Sequence, residues 1–579
     1  MFNLKLGKKT RNLIYSINIL GIVLVLTALV KSLISGESWN QIYTPVNGSL
    51  LLSTLVALVP AVCLFGLLVF MKKSAFVSTV TGLIVALILA VLVWKMPLRL
   101  AISSTTLGMA TGLFPIIWTL SSAVWIFNML VESGYFEVIK ESLKRVSYDR
   151  RIQTLLIGFA FICLLESLAA FGAPIAIGVS MLTGLGFPPV LSATIALLAD
   201  TSPSAWGTQG MPLMILNSVT NIDINQLGMI VGRQTPLLSA LMPIGLVFIM
   251  SGWKGLKGVW YFALAVGLSY GLAAFVTSNF LTPLAAGIAG ALASIVVIMI
   301  ILRFWHPKHV WTFDCDSKIK PHEDRPKLRP QSVIRAWSPY ILLVLAISVI
   351  NGSPLKLLLA KISTIRWEWL GLHNVVMKTA PVVPSPEPYT AIYQQSILTS
   401  GGTIVFMVAL VTIFMLRLPV KKAFSIYLKT LKDLLFPGLT IVCILGIAYL
   451  MNYSGMTYTI GLLFASSNLF FPFATVFLGL FGCSLGGSVA GSNALFGNLV
   501  VVAGEQIGVD PAFSAATLCS GGTMGKSLTP QNLVIANSVL KIPGLEGILI
   551  GRVIAFTLIF TVILGVWAMV MYHLMPWLI

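Results

Sequence analysis

A short string in this chain recurs 322 positions downstream. Gly186-x-x-Pro189-x-x-Ser192-Ala193-Thr194 returns as Gly508-x-x-Pro511-x-x-Ser514-Ala515-Ala516-Thr517. Each copy follows a Gly/Ala/Ser-rich break in an apolar run, Glu166 to Pro174 in the first and Gly486 to Asn493 in the second. Each also precedes a further break that ends in proline, Asp200 to Pro212 and Ser520 to Pro530. Backbone that leaves the helix inside lipid must find its hydrogen bonds in protein or water. Paired interruptions at corresponding points of two halves therefore converge on a cavity, which is where a secondary transporter binds its cargo.

Composition places those runs in a bilayer. With 57% hydrophobic and 9% charged residues over 579 positions, the chain is a polytopic α-helical membrane protein. The strict alternation of an outer-membrane barrel is absent. The net charge of +19 comes from Lys and Arg lying between apolar runs, as the positive-inside rule requires, and it gives no reason to invoke nucleic acid. The six cysteines are scattered without a CxxC pair, so they read as packing residues and not as a metal site or disulfide frame. His306, His309 and His322 share one polar loop and read as solvated. Lys31 and Glu37 follow the first apolar run with no small-residue cleavage site, which argues against a signal peptide.

The charge rule and the run lengths give an order of segments. Residues 1–36 hold a basic cytoplasmic terminus (Lys5, Lys8, Lys9, Arg11) and an extra helix over 13–30. Scaffold helices occupy 37–152, with spans near 50–71, 75–94 and 106–131 and a basic loop over 132–152. The first transport repeat, 153–226, comprises a re-entrant hairpin of two half-length arms (153–184) and a broken span (188–220). Scaffold helices fill 227–470, with spans near 227–250, 258–277, 281–302, 335–351, 396–416 and 433–451. Within that block 303–334 is a cytoplasmic loop, 352–395 an outer loop, 417–432 a basic inner loop and 457–468 a short outer segment. The second repeat, 471–541, comprises a hairpin (472–506) and a broken span (511–541), and 542–579 carries the last helix. An odd number of crossings separates the hairpins, so they enter from opposite faces and the duplication is inverted. The expected fold is thus all-α, with two re-entrant hairpins and two broken helices forming a transport domain that shifts, elevator-like, against a scaffold.

Charge inside such a core needs a reason. Lys526, within the second broken span, costs about 2.5–3.5 kcal/mol at a span centre, and a substrate carboxylate would supply the reason; the competing reading is a snorkelling lysine. The Gly-Lys-Ser string lacks the spacing of a phosphate loop, because position 520 is Ser where that motif needs Gly. Arg233 has a fork suited to a carboxylate but fits an interfacial anchor equally well. The amides near Gly172-Ala173 and Ser492-Asn493 sit at half-helix N-termini, which favour an anion. Thr208, Gln209, Thr529 and Gln531, with Ser492 and Asn493, offer neutral partners for a hydroxyl or carbonyl. Glu166 at the first tip, and Asp200 after it, are the candidate proton carriers; the alternative is a structural acid paired with a cation. No catalytic constellation, metal-ligand cluster or cofactor motif appears, so an enzyme is not expected.

At these residues the chain resembles the bacterial and archaeal lactate permease family. The matching strings are Glu166 through Pro174, Ala199 through Pro212, Gly232-Arg233-Gln234-Thr235-Pro236, Ala336-Trp337-Ser338-Pro339, Asn452-Tyr453-Ser454-Gly455, Ser492 through Phe496, and Gly521 through Gln531. They run in order over about residues 37 to 575. The resemblance implies uptake of L-lactate, D-lactate or glycolate with a proton, and kinship with a wider ion-transporter group whose hairpin-bearing domain slides against a scaffold. Two departures stand out. Where the family's second tip carries an acid and two hydroxyls, this chain has Val489, Ala490 and Gly491. At the first tip Ser167, Leu168 and Ala170 replace Gly, Ala and Gly.

The expectation is a proton-coupled symporter of a small 2-hydroxy monocarboxylate in the inner membrane, with the lipid bilayer as its surroundings and a homo-oligomer as an open option. A sodium-coupled or di/tricarboxylate carrier of the same architecture, and an anion channel, remain as alternatives.

Overall fold

The computed structural model describes residues 38–579 apart from 70, 72, 170–172, 308, 314–328, 353–354, 466–469, 541 and 543–545. The expected helix over 13–30, Gly172, His322 and Cys315 lie outside the described residues.

Helices dominate. In chain order α1 (Leu50–Ala57), α2 (Val59–Val69), α3 (Ala75–Leu92), α4 (Leu98–Thr111) and α5 (Trp118–Glu132) come first, then α6 (Tyr135–Lys144). Next are α7 (Arg150–Leu168), α8 (Ala173–Gly184), α9 (Pro189–Ala199), α10 (Gly207–Thr220) and α11 (Ile224–Gln234). Helices α12 (Pro236–Lys257), α13 (Trp260–Val276), α14 (Ala286–Phe304), α15 (Pro330–Gly352) and α16 (Leu355–Ser363) follow. Then come α17 (Gly401–Met415), α18 (Val420–Asp433), α19 (Leu435–Ser454) and α20 (Met456–Phe464). The chain finishes with α21 (Phe471–Gly486), α22 (Val489–Gln506), α23 (Pro511–Gly525), α24 (Pro530–Leu540) and α25 (Glu546–Leu574). Among the described residues, eight helical stretches are long and apolar enough to cross a bilayer, so the protein is multi-pass.

Several expectations change. The arm ahead of the first tip is not half-length: Arg150–Leu168 is a helix of 19 residues, long enough to span. It starts at Arg150 because Asp149 caps it, accepting from Arg151 N at 2.8 Å. Arg151 Nη2 meets Asp149 Oδ2 at 2.6 Å and Arg150 Nη1 donates to Gln153 Oε1 at 2.8 Å. The span expected over 227–250 straddles the junction at Thr235 between α11 and α12, where Pro236 opens the next helix. The basic loops 132–152 and 417–432 contain helices α6 and α18. The segment near 457–468 forms α20, whose Met456–Gly461 stretch is buried and packs on α22 and α1.

The all-α expectation is also incomplete. Residues 364–396, joined by Trp39–Asn40, form two small sheets. Strand β2 (Thr364–Glu368) pairs antiparallel with β5 (Ile392–Ser396); β3 (Val376–Lys378) pairs with β1 (Trp39–Asn40) and β4 (Glu387–Pro388). The β-branched and aromatic residues of β2 and β5 suit a pleated surface, and Trp367 stacks on Tyr393 across the pair. Gln41 Nε2 then ties this cap to the end of α19, donating to the carbonyls of Asn452 and Tyr453 at 2.9 and 2.8 Å.

The two similar strings adopt the same local backbone. Gly186 and Gly508 both take positive φ, +97° and +74°, which glycine permits without strain. Pro189 and Pro511 both open the helix that follows. The helices around the two strings pack on one another: α8 lies on α24, and α22 lies on α10. Close approach of α21 to α23 depends on glycine, since a Cβ on Gly521 would sit 2.1 Å from the Val476 carbonyl oxygen.

Candidate functional site

Each broken span ends its first helix on a charged residue. Helix α9 stops at Asp200, then a turn and a 3-10 segment Ser204–Trp206 lead into α10. The start of α10 is distorted: Thr208, Gln209 and Gly210 take φ of +41°, +58° and +75°. Left-handed backbone costs L-residues about 1–2 kcal/mol apiece, so two non-glycine residues held there are tightly constrained by their surroundings. Helix α23 ends at Gly525 and gives way to the 3-10 turn Lys526–Leu528. Thr529 is extended, as a residue before proline prefers, and Pro530 opens α24.

The two breaks bring three charges together. Lys526 Nζ lies 3.2 Å from Glu166 Oε1. Asp200 Oδ2 accepts from Asn532 Nδ2 at 3.1 Å, and the same nitrogen reaches the Lys526 carbonyl at 3.2 Å. Glu166 Oε2 and Asp200 Oδ1 are buried with no hydrogen-bond partner. Glu166, Asp200 and Lys526 are 2%, 1% and 6% exposed, so water does not screen the cluster. Gly207 makes room for it: a Cβ there would fall 2.9 Å from Glu166 Oε1. A buried pair of this kind is weak evidence for stability, since desolvation offsets much of the attraction. A chemical role is the better default for ionised groups at this depth.

The neighbouring helices also carry neutral polar groups with spare capacity. Both amide atoms of Gln209 are buried with no protein partner. Asn493 Nδ2 donates to the Pro212 carbonyl at 3.0 Å, leaving Oδ1 unpaired. Gln234 Nε2 donates to Thr517 Oγ1 at 2.8 Å, leaving Oε1 unpaired, and Ser520 Oγ is unpaired on the same helix as Thr517. The helices carrying them, α10, α22, α11 and α23, pack as neighbours. A buried polar atom without a partner costs about 1–3 kcal/mol.

The remaining expected residues are placed variously. Thr529 is buried and donates to the Lys526 carbonyl at 3.1 Å. Thr208 is buried in the first break. Ser492 is buried against α21, its hydroxyl 3.4 Å from the Gly479 carbonyl. The amides of Ser492 and Asn493 are not a helix end. Helix α22 starts earlier, at Val489, because Ser488 caps it by accepting from Gly491 N, and Ser492 N already donates to the Ser488 carbonyl. Ala173 opens α8. Gln531 is exposed, beside Gly487 of the second tip. Arg233 lies with the end of the chain: Nε donates to Asn279 Oδ1 at 2.9 Å and Nη1 to the Leu578 carbonyl at 3.0 Å. Its neighbour Gln234, not singled out from sequence, is the residue that faces α23. Asn532 was likewise missed, although it follows Pro530-Gln531 directly.

The family profile described as L-lactate permease matches residues 53–575. Glycolate permease GlcA of Escherichia coli (strain K12) is 37% identical over 544 residues, covering 91% of this chain and 97% of that one. An L-lactate permease of Bacillus subtilis (strain 168) is 34% identical over 560 residues, covering 93% and 100%. Among solved structures, the Alcanivorax borkumensis YdaH transporter aligns with a TM-score of 0.40 at 14% identity, over 78% of this chain and 84% of that one, a likeness too loose to carry an argument.

Proposed function

The chain belongs to the L-lactate permease family, and from that premise we propose that it carries a small 2-hydroxy monocarboxylate, lactate or glycolate, across the plasma membrane together with a proton. The observation that carries this reading is the buried cluster of Lys526, Glu166 and Asp200. Fully ionised, two acids and one lysine bear one net negative charge. A monocarboxylate arriving without a proton would make that two, in a medium where uncompensated charge is costly. One proton taken up on Glu166 or Asp200 for each anion removes the excess. Lys526 then turns from Glu166 to the substrate carboxylate, and Gln209, Asn493, Gln234 and Ser520 are within the packing that would take the hydroxyl.

The packing of α8 on α24 and of α22 on α10 supports an inverted, two-fold arrangement in which the hairpins and broken spans move as one body against the scaffold helices of 37–152 and 227–470. The basic residues Lys5, Lys8, Lys9 and Arg11 favour an amino terminus on the inner side.

Purified protein in proteoliposomes tests the reading. An inward proton gradient should drive accumulation of radiolabelled L-lactate or glycolate, unchanged when choline replaces sodium. Accumulation that follows a sodium gradient and ignores the proton gradient would overturn proton coupling.

A further inference from the structure

Helix α18 has three distinct faces, and one of them is buried against the protein, with Phe424 at the edge of the next touching Trp125 (ring centroids 5.5 Å apart). Ala423, Ile426 and Thr430 are buried on α5: Trp125 Nε1 donates to the Ala423 carbonyl at 2.9 Å and Asn128 Nδ2 to Thr430 Oγ1 at 2.8 Å. At 3.6 residues per turn, Val420, Phe424, Leu428 and Leu431 fall in an adjoining sector about 80° wide. All four are exposed, Leu428 by 61%. Lys421, Lys422, Lys429 and Lys432 fill the sector beyond, about 100° wide, and are exposed too.

Exposed apolar residues also stand at the ends of the two flanking helices, Phe414 of α17 and Leu435 and Phe436 of α19. The helix thus lies where two spans end. Of its lysines, Lys429 is paired with Glu132 at 3.0 Å, while Lys421, Lys422 and Lys432 share the helix with one acid, Asp433.

We propose that α18 is an interfacial helix that seats Val420, Phe424, Leu428 and Leu431 in the bilayer and holds anionic phospholipid headgroups with Lys421, Lys422 and Lys432. The order of faces (protein, acyl chain, headgroup) is the one an amphipathic helix needs to lie in the plane of a membrane. The basic sector faces the phosphates, whose pull falls off within a Debye length. An acidic protein partner would explain the lysines but not the exposed apolar sector beside them. The inference does not depend on the transported substrate.

The test uses the full chain in vesicles of phosphatidylcholine with 30% phosphatidylglycerol and trace spin-labelled lipid, a composition chosen for the experiment. At low salt, spin-labelled phosphatidylglycerol should show a motionally restricted fraction several-fold larger than spin-labelled phosphatidylcholine. The preference should fall towards one in the Lys421→Gln/Lys422→Gln/Lys432→Gln variant. A nitroxide at Leu428→Cys should be accessible to oxygen and shielded from a water-soluble nickel reagent. Equal restricted fractions for the two lipids, or a preference the triple variant leaves intact, would overturn headgroup binding; a nickel-accessible nitroxide would overturn the seating.

Discussion

Asn532 Nδ2 donates at once to Asp200 Oδ2, at 3.1 Å, and to the Lys526 carbonyl, at 3.2 Å. One amide thus joins the acid of the first break to the backbone of the second. Replacing it by alanine removes a donor to a charged acceptor, worth about 1.5–3 kcal/mol, so Asn532→Ala should lower uptake by roughly ten-fold or more. Asn532→Gln, keeping the amide, should retain more activity than alanine; initial rates in proteoliposomes check both.

Lys526→Met should leave Glu166 buried without its cation. Breaking a buried pair from one side costs about 3–5 kcal/mol, so the thermal midpoint in detergent should fall. Lys526→Met/Glu166→Gln removes both charges and should recover part of that loss. Neither variant should transport.

Gln209 separates function from stability in the other direction. Its two amide atoms are buried and unpaired, so Gln209→Leu removes an unmet desolvation cost of about 1–3 kcal/mol. The variant should melt no lower than the parent, yet take up hydroxylated substrate at least several-fold more slowly. A fall in melting temperature with intact uptake would make the glutamine purely structural.

The contact between α21 and α23 allows no side chain at Gly521 or Gly479. Cβ atoms there would meet the carbonyl oxygens of Val476 and Leu518 at 2.1 and 2.2 Å. Gly521→Ala should therefore destabilise by about 1–3 kcal/mol, the usual range for overpacking, whereas Gly547→Ala, with nothing within 4 Å, should be neutral. Thermal unfolding of the purified variants distinguishes them.

What the sequence exposes and what it hides follow from range. The turns at Gly186 and Gly508 and the helix starts at Pro189 and Pro511 are local consequences of glycine and proline, and the breaks at Asp200 and Lys526 appear wherever polar residues interrupt an apolar run. The pairing of Lys526 with Glu166 joins positions 360 residues apart, and nothing local announces it; Lys526 and Glu166 were legible as odd residues, their meeting was not. Gln234 faces Thr517 across 283 positions and stayed hidden beside the more conspicuous Arg233. Counting charges over 417–432 gave a basic loop because a count ignores period. The same residues taken at 3.6 per turn give α18.

Proton movement itself is the most direct test. Proteoliposomes holding a pH-sensitive dye receive L-lactate or glycolate outside, with membrane potential clamped. Inward acidification should accompany uptake, about one proton per anion from the charge count above, and should vanish in Glu166→Gln/Asp200→Asn while unlabelled-for-labelled exchange persists. Substrate uptake by the parent protein without proton entry, at a well-folded and correctly reconstituted level, would contradict the coupling role of the buried cluster.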